Sequence, residues 1–350
     1  MINLNQVQII AELKNPSSYP HPVSRISVIE THISWVLLTG HYAYKIKKPV
    51  KFGGVLDFSR LYLRKKFCQV EVQLNRPLCG KMYQGVVKVV YSGNRSKIVN
   101  LSNPAKAIEY AVKMIEIPQE YRMDNLLRRG KISSGSILLL IKKLVKFHGD
   151  AKTDKRIARY GSPTSIEWKI TENFETLSKL TNSGEVYAHY LMHFLKNNKG
   201  LFRTRMKAGK IKEIHGDLYL KNIFLFKNKF YLYDRIEFNM PLRYADVAED
   251  IAHLSMDLDL HRRGDLSQLL ISKYVNESGD TGLMNIIYFL MCYKSCIRAK
   301  VAMFRATQSI TEKRGQSKKL YHDCKKEALM HFALARKYMK MSKENLGHTN

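Results

Sequence analysis

Apolar and polar positions along the chain fall into two regimes. Up to about Pro118 they alternate or run in short β-branched stretches, and beyond it they recur at helical spacing. At the start, Val7, Ile9, Ile10 and Leu13 are spaced as the face of a short helix, closed by Asn15-Pro16 and a Pro20/Pro22 turn. Residues 25–30 and 34–39 alternate and are β-branched, Gly40-His41 supplies a turn, and 42–50 reads as a third strand ending near Pro49. Asp57 and Ser59 offer helix-start chemistry for a basic helix over about 60–75, stopped by Pro77. Residues 86–91 and 97–101 form a hairpin across Ser92-Gly93-Asn94, and 110–117 is one more strand ending at Pro118. The first third is thus expected to be an antiparallel sheet carrying one inserted helix.

After Pro118 the periodicity predicts helices over about 119–129, 135–149, 163–180 and 185–197, joined by polar turns such as Gly149-Asp150 and Asn182-Ser183-Gly184. Two short strands interrupt them, 222–226 and 230–233, about a Lys227-Asn228 turn; helices then resume to about 341 and the tail is polar. There is neither an internal repeat nor a low-complexity block. The expected architecture is α+β: a sheet lobe with the N-terminal helix over 1–118, a larger, mainly helical lobe over 119–341, and a polar tail over 342–350.

With 350 residues, 45% of them hydrophobic and 10% aromatic, the chain can bury a sizeable core, which excludes a disordered basic tail. Lys and Arg number 59 against 30 Asp and Glu, a net charge of +29 that favours anionic partners: nucleotides, nucleic acid, phosphorylated metabolites or an acidic membrane surface. Five cysteines without framework spacing point to a reducing compartment rather than a disulfide scaffold, and Cys292 and Cys296, four apart in an apolar stretch, read as buried helix cysteines. No signal peptide is recognisable, and no apolar run reaches the ~20 residues of a membrane span. The expectation is a soluble, cytoplasmic protein.

The most informative segment is His215-Gly216-Asp217-Leu218-Tyr219-Leu220-Lys221-Asn222, which precedes the short strand pair, with Asp234 following its second strand. Phosphoryl transfer needs a carboxylate to orient and accept the proton of an attacking hydroxyl, and an Asn with a second Asp to hold the magnesium that bridges the phosphates. Five positions from Asp217 to Asn222 is the separation of those groups in a kinase catalytic loop, and the hairpin returns Asp234 beside them. Asp217 is therefore the candidate base, and Asn222 and Asp234 are the candidate Mg²⁺ ligands.

This motif, with Tyr233-Asp234, resembles the aminoglycoside phosphotransferase-like branch of the kinase fold. Several further blocks resemble a bacterial branch of aminoglycoside phosphotransferase family enzymes whose substrate is unknown. They are Glu30-Thr-His-Ile-Ser34, Tyr44-Lys-Ile-Lys-Lys-Pro49, Leu56-Asp-Phe-Ser59, Asp234-Arg-Ile-Glu-Phe-Asn239, Asp250-Ile-Ala-His-Leu-Ser-Met-Asp257 and Arg298-Ala-Lys300. The resemblance spans about 20–305 and implies a two-lobed, protein-kinase-like fold that uses ATP, or GTP, and Mg²⁺ to phosphorylate a hydroxyl of a small molecule. It makes Lys45 the strand lysine on the nucleotide phosphates and Glu71 the helix glutamate that pairs with it; Lys47, on the same strand face by period two, competes for the first role. It also implies that backbone groups of the hinge segment Glu116-Ile117-Pro118-Gln119 meet the adenine edge, and that Asp250 buttresses the catalytic loop.

Two departures stand out. No Gly-rich loop joins the first two strands, so backbone amides and the hydroxyls of Thr31 or Ser34 would meet the phosphates. Many relatives also carry a second nucleotide-binding domain with a Gly-x4-Gly-Lys-Ser/Thr loop, and no such sequence occurs here. Glu237 and Asp246 could reach toward metal or substrate, or be exposed acids near a helix start; His148 reads as a packed helix-end histidine.

The charge is unevenly spread. Residues 41–97 carry thirteen Lys/Arg and two acids, and 294–350 fourteen Lys/Arg and four acids, whereas 213–265 hold ten acids and seven Lys/Arg. The basic excess thus surrounds a more acidic chemical segment. The alternative reading is a non-enzymatic basic kinase-fold module that binds a protein partner or nucleic acid, the latter through Lys313-Arg314, Lys318-Lys319 and Lys325-Lys326 with Tyr321 and Phe332 interleaved.

Overall fold

The computed structural model describes residues 4–311 and 317–347. They divide into two compact units, Met1–Asn125 with Asn222–Met240, and Leu126–Lys221 with Pro241–Asn350. The sequence expectation put the break at 118/119 and left the hairpin after Asn222 with the helices; in the structure that hairpin is counted with the sheet unit.

The chain opens with helix α1 (Gln6–Glu12), held at its start by a reciprocal capping box between Asn5 and Gln8. Strands β1 (Ser27–Glu30), β2 (Ser34–Leu38) and β3 (Tyr42–Lys47) follow as a meander, then a two-residue pair, β4 (Lys51–Phe52) and β5 (Leu56–Asp57). Helix α2 (Leu61–Cys79) precedes β6 (Tyr83–Tyr91), β7 (Ser96–Asn100) and β8 (Ala107–Ile115). The six long strands form one antiparallel sheet in the order β1-β2-β3-β8-β6-β7. One face of that sheet packs with α1 around Leu37, Tyr44, Ile46, Val89 and Ala111. β3 is thus an interior strand, flanked on both sides, which already decides that its lysines are not solvated edge residues.

α2 runs four residues past the expected end, with Pro77 inside its last turn. A proline there removes a single N–H near the C-terminus, and Gly80, at φ +52°, closes the helix by donating its N–H to the Arg76 carbonyl. The expected cap chemistry is displaced as well. Asp57 accepts from the N–H and hydroxyl of Ser59, while Arg60 at the N-cap has no side-chain capping bond.

The later part is mainly helical: α3 (Met123–Arg128), α4 (Ser134–Asp150), α5 (Lys155–Ala158), α6 (Pro163–Ser178), α7 (Glu185–Asn197) and α8 (Lys199–Lys207). Strand β9 (Ile211–Glu213) and the hairpin β10 (Ile223–Phe226) and β11 (Lys229–Leu232) follow, then α9 (Met240–Arg243) and β12 (Tyr244–Asp246), which pairs with β9. The chain closes with α10 (Ala248–Leu260), α11 (Gly264–Ser278), α12 (Ile287–Thr311) and α13 (Ser317–Gly347). Residues 342–347, expected in a polar tail, continue α13. In the second unit α12 packs against α10, α13, α7 and α6, and Cys292 and Cys296 are buried on it, as expected. No described helix is long and apolar enough to cross a membrane. The architecture is the α+β one expected.

Candidate active site

In the first unit, β3 carries Lys45 and Lys47 two residues apart and hence on one face, and both are buried. α2 brings Glu71 between them. Its Oε1 lies 2.9 Å from Lys45 Nζ and its Oε2 2.6 Å from Lys47 Nζ. Each lysine has a second carboxylate from the segment after β11: Lys45 pairs with Asp234, and Lys47 with Glu237. Both lysines that competed for the phosphate role pair with Glu71, because one buried glutamate divides its two oxygens between them. Burial would raise the Glu71 carboxyl, but the two ammonium groups hold it at about 2. For Glu237 burial wins over Lys47 and the carboxyl titrates above its ordinary range. Lys45 and Lys47, despite burial, are held above the usual lysine range by these acids.

α2 also positions the chain after β11. Asn75 Oδ1 accepts the Arg235 N–H (3.0 Å) and its Nδ2 donates to the Glu71 carbonyl (2.8 Å), while Arg235 Nη1 donates to the Leu74 carbonyl (2.7 Å). The Tyr83 hydroxyl accepts the Asp234 N–H at 3.3 Å. Asp234 is held at φ +67°, a left-handed conformation that is costly for a residue with a Cβ. Its carboxylate stays 38% exposed while Glu71 is fully buried. Asn222, at the other end of the hairpin, is buried and accepts the Tyr233 N–H on its carbonyl (3.0 Å).

Ser34 is buried, with Oγ 2.8 Å from Thr31 Oγ1, which also accepts the Ser34 N–H (2.9 Å). The two hydroxyls offered to phosphates by the sequence thus close the β1–β2 turn. Ile117 is buried, and the preceding Glu116 N–H donates to the His41 carbonyl.

In the second unit, α10 fixes the loop that holds Asp217. Asp250 accepts the N–H groups of His215 (2.8 Å) and Gly216 (2.9 Å), and two turns along Asp257 accepts that of Leu220 (2.8 Å). Gly216 sits at φ +87°, where a side chain would be strained. Asp250 also meets His148 Nε2 at 3.1 Å, and His148 Nδ1 lies 2.8 Å from the Tyr274 hydroxyl. Burial would raise the Asp250 carboxyl, but hydrogen bonding and charge from His148 keep it below its ordinary range. The buttress and the packed histidine expected from the sequence are thus one buried network.

Three side chains to which the sequence reading gave no role lie near Asp217 or its loop. His253 Nδ1 lies 3.7 Å from Asp217 Oδ1, the His253 ring stacks on Tyr219 (5.4 Å, 11°), and the Arg298 guanidinium stands 4.7 Å from the centre of the Tyr219 ring. The signal was present: positions 250, 253 and 257 form one stripe of a helix. Glu237 and Asp246, read as metal-facing or as exposed acids near a helix start, are both buried, which overturns the exposed reading. Glu237 is spent on Lys47, and Asp246 is buried against Arg205 (2.5 and 2.7 Å) and caps the Ala248 N–H. At the C-terminus Lys318, Lys319, Lys325 and Lys326 are exposed, but Phe332 is buried and stacked on Tyr187, so it is not an interleaved surface aromatic; Lys313-Arg314 lie outside the described residues.

No protein-family model matches the chain. Over 302 residues it is 31% identical to uncharacterized proteins of Mycobacterium tuberculosis and Mycobacterium bovis, a match covering 83% of this chain and 58% of theirs. The chain thus spans a little over half the length of the curated relatives it matches. It is similar to a choline/ethanolamine kinase family protein from Mesorhizobium loti (12% identity, 93% of this chain and 98% of that one, TM-score 0.47). Likewise similar are an aminoglycoside phosphotransferase from Alicyclobacillus acidocaldarius (13%, 99% and 98%, 0.46) and an ADP-bound aminoglycoside phosphotransferase (14%, 89% and 95%, 0.44).

Proposed function

We propose that the chain is a phosphotransferase that moves the γ-phosphoryl group of ATP to a hydroxyl of a small-molecule acceptor. The observation that carries this reading is the buried Lys45–Glu71 pair with Asp234 beside it, in a chain whose Asp217 loop is clasped from behind by Asp250. Glu71 holds the Lys45 amine as a fixed point charge for the nucleotide phosphates. Backbone groups about Ile117 meet the adenine edge, and the β1–β2 turn ending at Ser34 covers the phosphates. Asp217 orients the acceptor hydroxyl and takes its proton as the new O–P bond forms and the bond to the departing ADP breaks.

Asn222 and Asp234 would hold magnesium, whose charge offsets that of the phosphates. An amide oxygen and a partly exposed carboxylate suit that ion, which takes oxygen donors and binds through one or two carboxylates together with substrate phosphates and water. In this reading the chain works in the cytoplasm, where its five buried cysteines, all thiols, are stable.

The test is labelled ATP with Mg²⁺ and metabolite extracts, with Asp217→Asn as the blank. Turnover in the folded variant should fall by roughly 10²–10⁴. Undiminished phosphorylation or ATP hydrolysis by Asp217→Asn would remove the assignment.

A further inference from the structure

The α10 stripe that clasps the Asp217 loop carries a third side chain with no such task. His253 is 2% exposed, and neither ring nitrogen has a hydrogen-bond partner among the described residues. Buried imidazole nitrogens seldom go unpaired, and each one left so costs free energy. Its neighbours are Asp217, Tyr219 and, on α12, Arg298, over the Tyr219 ring.

Only 15% of the Arg298 side chain is exposed, yet Glu327 Oε1 stands 3.8 Å from its Nη2, beyond hydrogen-bond distance, and Glu327 already pairs with Arg305. Asp257, another nearby acid, is committed to the Leu220 N–H. On α13, His331 is likewise buried with an unpartnered Nδ1. A guanidinium offers five N–H donors and no acceptor, and a neutral imidazole offers one donor. The unpartnered His253 nitrogens, with the Arg298 guanidinium close by and next to the base, suit a ligand whose oxygens accept.

Charges of both signs act here: Asp217, Asp257 and Glu327 favour the charged form of Arg298, while the cations disfavour charging the two imidazoles. Burial, then Lys294 and Arg298, keep the His253 imidazole neutral well below its usual range, and burial with Arg298, Arg305 and Lys221 brings His331 down to about 3. A cationic acceptor would meet Arg298 as a like charge, whereas an anion would satisfy donors that are already desolvated.

We propose that the acceptor alcohol carries an anionic group, a phosphate or a carboxylate, that Arg298 and His253 bind beside Asp217. This rests on the phosphotransferase reading above and adds the acceptor's chemical class to it.

The test titrates the full chain, saturated with ADP and Mg²⁺, with inorganic phosphate, acetate or choline while following the His253 imidazole resonances by NMR. One or both anions should shift the His253 signal and choline should not, and comparing phosphate with acetate tells which oxyanion the site prefers. Arg298→Met should weaken the anion-dependent shift roughly ten- to hundredfold, the worth of a hydrogen bond to a charged group, with ADP affinity unchanged. Arg298→Lys, which keeps the charge and loses the planar fork, should fall between. Absence of any anion-dependent shift, a shift equal in parent and Arg298→Met, or a choline shift would overturn the proposal. ADP affinity reports on the phosphotransferase reading separately: loss of nucleotide binding counts against that reading, and an unmoved His253 signal with ADP bound counts only against the anionic acceptor.

Discussion

Replacing Lys47 by methionine removes the cation shared by Glu71 and Glu237, which also stands over the Phe58 ring, while keeping most of the aliphatic length. Glu71 retains Lys45, so the burden falls on Glu237, which is fully buried. Its least costly response is to take up a proton. Protonating a carboxylate of ordinary pKa ~4.3 at pH 7 costs about 1.36 × 2.7, or ~3.7 kcal/mol, close to the ~3–5 kcal/mol found when one partner of a buried pair is deleted.

The sign of the pH dependence follows. The folded-state pKa of Glu237 is already above its unfolded value and would rise further in Lys47→Met, so the folded chain holds the extra proton and its stability falls as pH rises between those two values. The parent already carries part of this cost, so Lys47→Met should lose up to about 3–4 kcal/mol at pH 7 and no more than about 1 kcal/mol at pH 5, measured by urea unfolding at each pH. Adding Glu237→Gln should restore most of the loss, with a coupling of at least ~1.5 kcal/mol in the double-mutant cycle. A loss under ~1 kcal/mol at pH 7, or one independent of pH from 5 to 8, would refute this account of the cluster.

Arg205 bridges Asp246 and Asp280, both buried, at 2.5–2.9 Å, so Arg205→Met should cost ~3–5 kcal/mol in denaturant unfolding. A cost near zero would mean that the two acids regain water. Asp250→Ala orphans the N–H groups of His215 and Gly216 and should cost ~2–4 kcal/mol at neutral pH. Because the Asp250 carboxyl titrates below its ordinary range when folded, its contribution is complete above the unfolded value of ~3.9 and is lost as pH falls through the folded one. Parent and variant should therefore converge in acid, and a stability gap that stays constant below that range would contradict it.

Much of this site was legible because it depends on spacing within one element. Period-two alternation puts Lys45 and Lys47 on one face, the helix inserted in the sheet supplies Glu71, and the Asp217–Asn222 interval flags the loop. What stayed hidden depends on partners distant in sequence. Nothing local to Glu237 reveals that Lys47, 190 positions away, pairs with it, and so an acid near a helix start read as exposed or metal-facing. His253 escaped because a histidine in an apolar stretch is usually core, and only the loop folded against 250 and 257 gives its position meaning. The β9–β12 pair was missed because three-residue strands are too short to show alternation.

The sheet unit is not contiguous in the chain. α2 finds acceptors and donors in residues from beyond Leu126–Lys221: Cys79 Sγ donates to the Leu232 carbonyl, and Asn75 and Leu74 hold Arg235. A ribosome makes the chain from its N-terminus, so Lys45, Lys47 and Glu71 are made before the intervening helical stretch, and Asp234 and Glu237 only after it. During that interval Glu71 and the two lysines are without Asp234 and Glu237. The fragment 1–125 is therefore an unfinished fold rather than a separable module, and truncations at that point are expected to be captured by chaperones.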